Sequence, residues 1–244
     1  MSKLPVMDIA VVLLGCLAAP LAGAAEFSVL PRDGFAEHIE RFNAMADEPV
    51  TNAISNAQSL GWLQHNIPRF ECPDRAVEEL YYFRWWSFRK HLKQTPEGFV
   101  VTEFLTPVNH ASAFNTISCA AGFHLAEGRW LHDQSYLDDY TRFWLRGNQG
   151  KPQPHFHKFS SWFAAAAYDR YLVTGDKMSV TRYLNDFVAD YRAWEKERRL
   201  ANGLFWQYDV ADAMEESISG SRTAKNLRPT INSYMFANAR AIAA

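Results

Sequence analysis

Cysteine is scarce in this chain, with three in 244 residues. Cys16 lies in an N-terminal apolar stretch, and the remaining pair, Cys72 and Cys119, is too isolated to form a zinc pattern. In an oxidising compartment these two are able to pair, but sequence alone does not bring them together. Basic runs are absent and the formal net charge is −2, which argues against nucleic acid or an anionic membrane surface as the main partner. A Gly-rich phosphate loop, a nucleophile elbow and a repeat period are missing too, which leaves no sign of a nucleotide-binding loop, an α/β-hydrolase site or a tetratricopeptide-type array. The N-terminal apolar run, residues 9–19, is too short and is stopped by Pro20, so no membrane span is expected. His155-x-His157 hints at metal binding, but no third ligand stands at metal-site spacing, and no metal or other cofactor is expected.

The composition is that of a globular protein with a sizeable core. Apolar residues make up 48% and charged residues 21%, and the length allows one large domain or two small ones. Aromatics reach 14%, and all eight Trp lie between Trp62 and Trp206. Such rings fill cores, and they are also platforms for sugars. The N-terminus reads as a secretory signal over residues 1–24: Lys3 is the positive region, residues 9–19 are the apolar region, and Ala22-Gly-Ala24 is the cleavage site. The mature chain then starts near Ala25 and is secreted or periplasmic. Leu13-Leu-Gly-Cys16 resembles a lipoprotein box, but the apolar run continues past Cys16, which favours simple export.

Apolar periodicity predicts a mostly helical chain. Phe35, Ile39, Phe42 and Met45 mark a first helix capped by Asp33, and residues 51–66 a second. Asp74 caps a third helix to about Lys93, with a stripe of Val77, Tyr81, Trp85, Phe88 and Leu92 that leaves Arg84, Trp86 and Arg89 outside it. Thr95-Pro-Glu-Gly98 is a turn before a short β arm over residues 99–105. Further helices are expected over residues 115–130, 133–146 and 157–174, then along a stripe from Val180 to Trp194, and finally after Pro229. Ala164 to Ala167 are small enough to let another helix or a ligand approach closely.

Between the last two helices runs Gly203-Leu-Phe-Trp-Gln-Tyr-Asp-Val-Ala-Asp-Ala-Met-Glu-Glu-Ser-Ile-Ser-Gly220. It gathers Asp209, Asp212, Glu215 and Glu216 beside Trp206 and Tyr208. Crowded carboxylates next to apolar rings are how a protein keeps one carboxyl protonated near neutral pH, the state a general acid needs. The plainer reading is a solvated acidic turn.

Tyr82-Phe-Arg-Trp-Trp86, Thr102-Glu-Phe-Leu105, Ala126-Glu-Gly-Arg-Trp-Leu131, Tyr171-Leu-Val-Thr-Gly-Asp176, Gly203-Leu-Phe-Trp206 and Pro229-Thr-Ile-Asn-Ser-Tyr234 follow one another at fitting distances. In that order they resemble the six-hairpin, (α/α)6 toroid glycoside hydrolases. The nearest likeness is to the mannosylglycerate-hydrolase-like group, related to trehalase and the processing α-glucosidases. The resemblance covers about Phe70 to the C-terminus. It implies a mainly α fold, a partial toroid of antiparallel helical hairpins with a short β arm, in which residues 25–244 are the N-terminal part of the catalytic domain. It implies an inverting carboxylate pair acting on a carbohydrate substrate, about 6.5–9.5 Å apart. Ala213-Met-Glu-Glu-Ser217 matches the family segment Gly-Met-Asp-Asn-Ser, which puts Glu215 at the general acid, Glu for Asp. Asp212 is the runner-up and Asp209 the third. The family's base lies in the second half of the toroid, so this chain alone is expected to be inactive.

Trp206, Trp86, Arg84, Trp162, Asp209 and Asn232 are the candidate substrate contacts. Trp86 and Arg84 stand against simple packing, Asn232 against capping of the last helix, and Glu103 against an exposed strand-end carboxylate. Two rival functions remain open: a six-hairpin polysaccharide lyase or sugar epimerase, to which His155 and His157 point, and a non-catalytic helical carbohydrate-binding or scaffold protein.

Overall fold

The computed structural model describes residues 30–31, 33–45, 47–213 and 221–244. The signal-like segment 1–24 and the expected mature start at Ala25 lie outside the described residues, as do Glu215 and Glu216. Pro31–Ala244 form one compact unit, mainly α.

Helix α1 (Ala36–Met45) buries Ile39 and Phe42. Helix α2 (Asn56–Asn66) starts five residues later than periodicity predicts. The reason is that Asn52 Nδ2 donates to the Lys90 carbonyl at 2.8 Å and Ala53 N to the Leu92 carbonyl at 3.1 Å, so this stretch bonds outward rather than along a helix. Helix α3 (Arg75–His91) is capped as expected, Asp74 Oδ1 accepting from Ala76 N at 3.0 Å. Its buried face is rotated from the expected stripe: Val77 is exposed, whereas Trp86 and Arg89 are buried. Both α1 and α2 pack on α3, and the face against α1 takes Tyr82 and Trp86 inside.

Strands β1 (Leu92–Thr95) and β2 (Gly98–Val101) form an antiparallel hairpin, which packs on α5 (Ser135–Arg146) through β2. The β arm expected over residues 99–105 ends at Val101, and its partner strand begins at Leu92, where periodicity predicts the third helix still running. Helix α4 (Ser118–Gly128) lies against α6 (Phe163–Thr174), and α6 against α9 (Pro229–Ala243). Small residues permit this approach: Ala120, Ala121 and Gly122 on α4, and Ala164 to Ala167 on α6, are buried. Helix α6 begins at Phe163, not His157. Residues 160 and 161 bond to other elements: Ser160 N donates to the Ala211 carbonyl at 2.9 Å, and Asn238 Nδ2 to the Ser161 carbonyl at 3.0 Å. The buried Asn238 side chain of α9 also accepts from Ala165 N at 3.1 Å, satisfying a helix-end donor from another helix.

The stripe from Val180 to Trp194 is divided between α7 (Met178–Thr181) and α8 (Leu184–Arg198). Arg146 Nη2 takes the Arg182 carbonyl at 2.8 Å, and only Phe187 and Trp194 of α8 are fully buried. A second antiparallel hairpin, β3 (Trp206–Tyr208) with β4 (Lys225–Leu227), was not foreseen; its three-residue strands are too short to show a period. Among the described residues no helix is long and apolar enough to cross a membrane. Cys72 and Cys119 are not joined by a disulfide.

Arg89 is wholly buried. Its guanidinium pairs with Glu48 (Nη1 to Oε1, 3.1 Å), donates to the Ile54 carbonyl at 2.7 Å and to Asn56 Oδ1, and lies 5.3 Å from the Trp86 ring centre. Burial would raise the Glu48 carboxyl, but the Asn56 backbone N–H and the Arg89 bond and charge outweigh it and hold the group low. Arg89→Met should therefore cost about 1–3 kcal/mol of stability in urea unfolding, because it removes the buried donor to the Ile54 carbonyl and Asn56 Oδ1 and the cation beside Glu48. A loss under about 0.5 kcal/mol, the level of an ordinary surface change, would refute this.

His157 binds Asp190 through Nε2 and lies 4.9 Å from the Trp194 ring, tying the segment before α6 to α8. Burial would lower the imidazole pKa, but the Asp190 hydrogen bond and charge, aided by Glu197, raise it above the ordinary 6.5. A raised histidine stabilises fully below 6.5, and that stability is lost as pH rises through the folded value. The gap in thermal midpoint between the wild type and His157→Gln should narrow as pH rises above 6.5. A gap independent of pH across that range would contradict the linkage.

Candidate active site

The β3–β4 hairpin carries the carboxyl wall of the site. A 3₁₀ turn, Asp209–Asp212, follows β3, and Ala213 closes it in a left-handed conformation with φ 57°. For a residue with a Cβ this costs about 1–2 kcal/mol, and such strain is common beside functional groups. Asp209 is fully buried. It pairs with Arg228 Nε at 3.1 Å and accepts from Asn226 Nδ2 at 2.8 Å. Asp212 is 1% exposed and accepts from Ser160 Oγ at 2.5 Å through Oδ1. Its Oδ2 has no partner of full hydrogen-bond geometry among the described residues. Burial pushes the Asp212 carboxyl above the usual range. Ser160, Thr230 and the Arg228 charge oppose the rise, and the Asp209 carboxylate adds to it.

Asp212 lines a cavity of about 390 Å³. Arg84, His91, Glu103, Phe123, His124, Glu127 and Tyr234 share that cavity. Glu103 is set by the loop after β2, where Asn115 is the organiser. Asn115 is left-handed at φ 66°; its Nδ2 donates to the carbonyls of Phe104 and Thr106, and its Oδ1 accepts from Val108 N at 3.2 Å. Glu103 Oε2 lies 3.3 Å from His124 Nε2, and His124 Nδ1 lies 3.1 Å from the Tyr140 hydroxyl. A carboxylate only accepts, so Nε2 carries the proton and Nδ1 accepts from Tyr140. His91 Nδ1 meets the Thr102 carbonyl at 2.8 Å, and burial lowers its pKa. The ring is thus neutral, with Nδ1–H as donor and Nε2 left as an acceptor. Glu127 is gripped at both oxygens by Arg84, at 3.2 and 2.7 Å.

The sequence candidates separate into three groups. Asp212 and Arg84 reach the cavity. Asp209 and Trp162 stand behind it, Asp209 in its ion pair and Trp162 against Phe123 and Tyr234. Three do not line it. Trp86 is packed in the core, its Nε1 donating to Asn43 Oδ1 at 2.7 Å. Trp206 lies under the cations of Arg198 and Lys225, 4.5 and 4.4 Å from its ring centre. Asn232 joins the first turn of α9 to Phe205, accepting from Phe205 N at 2.8 Å and donating to its carbonyl at 2.9 Å. His155 and His157 are not among the cavity residues. Glu215, the leading acid candidate, lies outside the described residues. Phe123, Tyr234, His91 and His124 had not been singled out. Only Phe123 left a signal, being off the expected apolar face of α4.

A carboxyl with a raised folded pKa stabilises the fold at low pH, and that contribution is lost as pH rises through the folded value. Asp212→Asn should remove this dependence and leave the protein as stable as the wild type or more so at pH 7. Chemical unfolding of both at pH 5 and pH 7 tests it. A variant markedly less stable at pH 7 would show that the buried carboxylate is a structural asset instead.

Comparison with known proteins bears on the same residues. The model of the mannosylglycerate hydrolase MGH1-like glycoside hydrolase domain matches residues 113–244, just over half of the chain. The motifs at Tyr82 and Thr102 fall outside that match. Among solved structures, one described as "Sialidase" is similar at 50% identity and a TM-score of 0.84, covering 87% of this chain and 20% of the other. The chain thus spans about a fifth of the length of the protein it matches. No curated protein matches it. With its mainly α architecture, its matched motifs and the extent of that match, the chain belongs to the MGH1-like glycoside hydrolase domain family.

Proposed function

We propose that the cavity is the catalytic cleft of an exported, inverting glycoside hydrolase, with segment 209–216 supplying the general acid. The observation that carries this reading is Asp212: a buried carboxyl with a raised pKa on the wall of a cavity large enough for sugar rings. Glu215 occupies the family's acid position and is the proton donor. Asp212, three residues earlier, is the alternative donor and otherwise adds to the field that keeps a neighbouring carboxyl protonated. The donor protonates the leaving oxygen while a base activates water on the opposite face. The other described carboxylates of the cavity are engaged, Glu127 by Arg84 and Glu103 by His124, so the base comes from elsewhere in the full-length protein. The N-terminal signal pattern supports export.

A lyase or epimerase reading has one observation in its favour: the neutral His91, His124 and Tyr234 share the cavity. Product analysis separates the two, since a lyase leaves an unsaturated sugar end that absorbs in the ultraviolet and a hydrolase does not.

In the full-length protein, Glu215→Gln should lower turnover of a natural glycoside by about 10²–10⁴-fold, the usual contribution of a general acid. Aryl glycosides with good leaving groups should lose much less, because they need little protonation. If Glu215→Gln turns over normally while Asp212→Asn does not, the acid is Asp212. Normal turnover in both would remove the segment from the mechanism.

A further inference from the structure

We propose that a pyranose ring of the substrate stacks on Phe123, with Tyr234 as a second aromatic wall set at an angle to it and Trp162 as the brace between them. The proposal rests on the reading of the cavity as a glycan site and names the residues that hold the glycan there. Phe123 is 56% exposed, yet it lines the cavity beside Asp212. The core face of α4 is filled by Ala121 and Leu125, so the Phe123 ring is not needed for packing. A large ring left in water inside a polar cavity loses the free energy of burial unless a ligand covers it.

The three rings form a continuous set. The edge of one ring meets the face of the other between Phe123 and Trp162, with centres 5.3 Å apart at 77°. Trp162 lies 6.4 Å from Tyr234 at a 32° tilt. Gly122 makes this possible. A Cβ there would stand 2.6 Å from Trp162 Nε1 and 2.8 Å from two further ring carbons. The indole therefore lies against the bare backbone of α4, between the two rings that reach the cavity. Tyr234 and Asp212 line the same cavity; burial, and after it the Asp212 charge, raises the Tyr234 pKa and keeps the phenol protonated.

A pyranose suits this arrangement. Its C–H face is apolar and covers an aromatic ring, while its hydroxyls, projecting at the rim, meet acceptors and donors. The cavity offers both at its polar wall: the Glu103 carboxylate and His91 Nε2 as acceptors, and the Arg84 guanidinium as a donor. The ligand class is a sugar with adjacent C–H groups on one face of the ring. The three candidate tryptophans, Trp86, Trp206 and Trp162, do not line the cavity and do not make this contact directly.

The test is binding, not turnover. The purified full-length wild type is screened on an array of plant, bacterial and animal oligosaccharides, and the best glycan is titrated by calorimetry. Phe123→Ala should weaken that glycan by about tenfold or more, the effect of uncovering one large side chain, and Phe123→Trp should restore it. Gly122→Ala, which displaces Trp162, should weaken binding too, with a normal circular dichroism spectrum. Asp212→Asn should still bind. Unchanged affinity in Phe123→Ala overturns the platform and leaves the hydrolase reading standing. Failure of the wild type to bind any glycan on the array overturns both.

Discussion

The buried ion pair between Asp209 and Arg228 holds the carboxyl wall together. Asp209 opens the 3₁₀ turn after β3, and Arg228 is the last residue before α9. One contact at 3.1 Å therefore ties the turn that bears Asp212 to the start of α9. Thr230 and Tyr234, on the first turns of α9, reach the cavity as a consequence. Both charges are nearly removed from water, with side-chain exposures of 0% and 11%, so each depends on the other. Losing one partner of such a pair costs about 3–5 kcal/mol because the survivor is left uncompensated. The pair also sets the local field: Arg228 draws the Asp212 pKa down and Asp209 pushes it up.

Within the cavity the ionisable groups are disposed so that one carboxyl stands out. Glu127 is held at both oxygens by a guanidinium, and Glu103 accepts from a histidine whose tautomer a buried tyrosine sets. His91 is neutral because burial disfavours its charge. Asp212 has hydroxyl partners but, among the described residues, no ion pair, and burial dominates its titration. Paired carboxylates stay ionised and hold shape, whereas a desolvated one is poised to carry a proton.

The scaffold beneath reflects two different ways of joining helices. Around α4, α6 and α9 the joints are made by small residues and one buried amide, Asn238, which lets backbones approach and caps a neighbour's end. Around α1, α2 and α3 they are made by large rings and a buried guanidinium. The first kind leaves room for Trp162 to slip against Gly122. The second kind makes a base in which Trp86 and Arg89 are packing elements, while Arg84 and His91 of the same α3 line the cavity.

Local signals in the sequence settled the helical class, the turn at residues 95–98, the Asp74 cap and the start of α9 at Pro229, because each depends on neighbours a few residues away. The ordered motifs carried the family. What failed to show were features made by contacts between distant segments. Helix α3 turned its Trp86 and Arg89 face inward because α1 covers Trp86 and residues 48–56 cover Arg89, which no period within α3 reveals. The start of α6 moved because Ala211 and Asn238, some 50 and 77 residues away, supply its bonds. The acidic segment looked like a cluster of equals. Only the folded hairpin makes Asp209 an ion-pair partner and Asp212 a buried carboxyl, since desolvation and pairing depend on what the tertiary structure brings alongside, not on the order of residues along the chain.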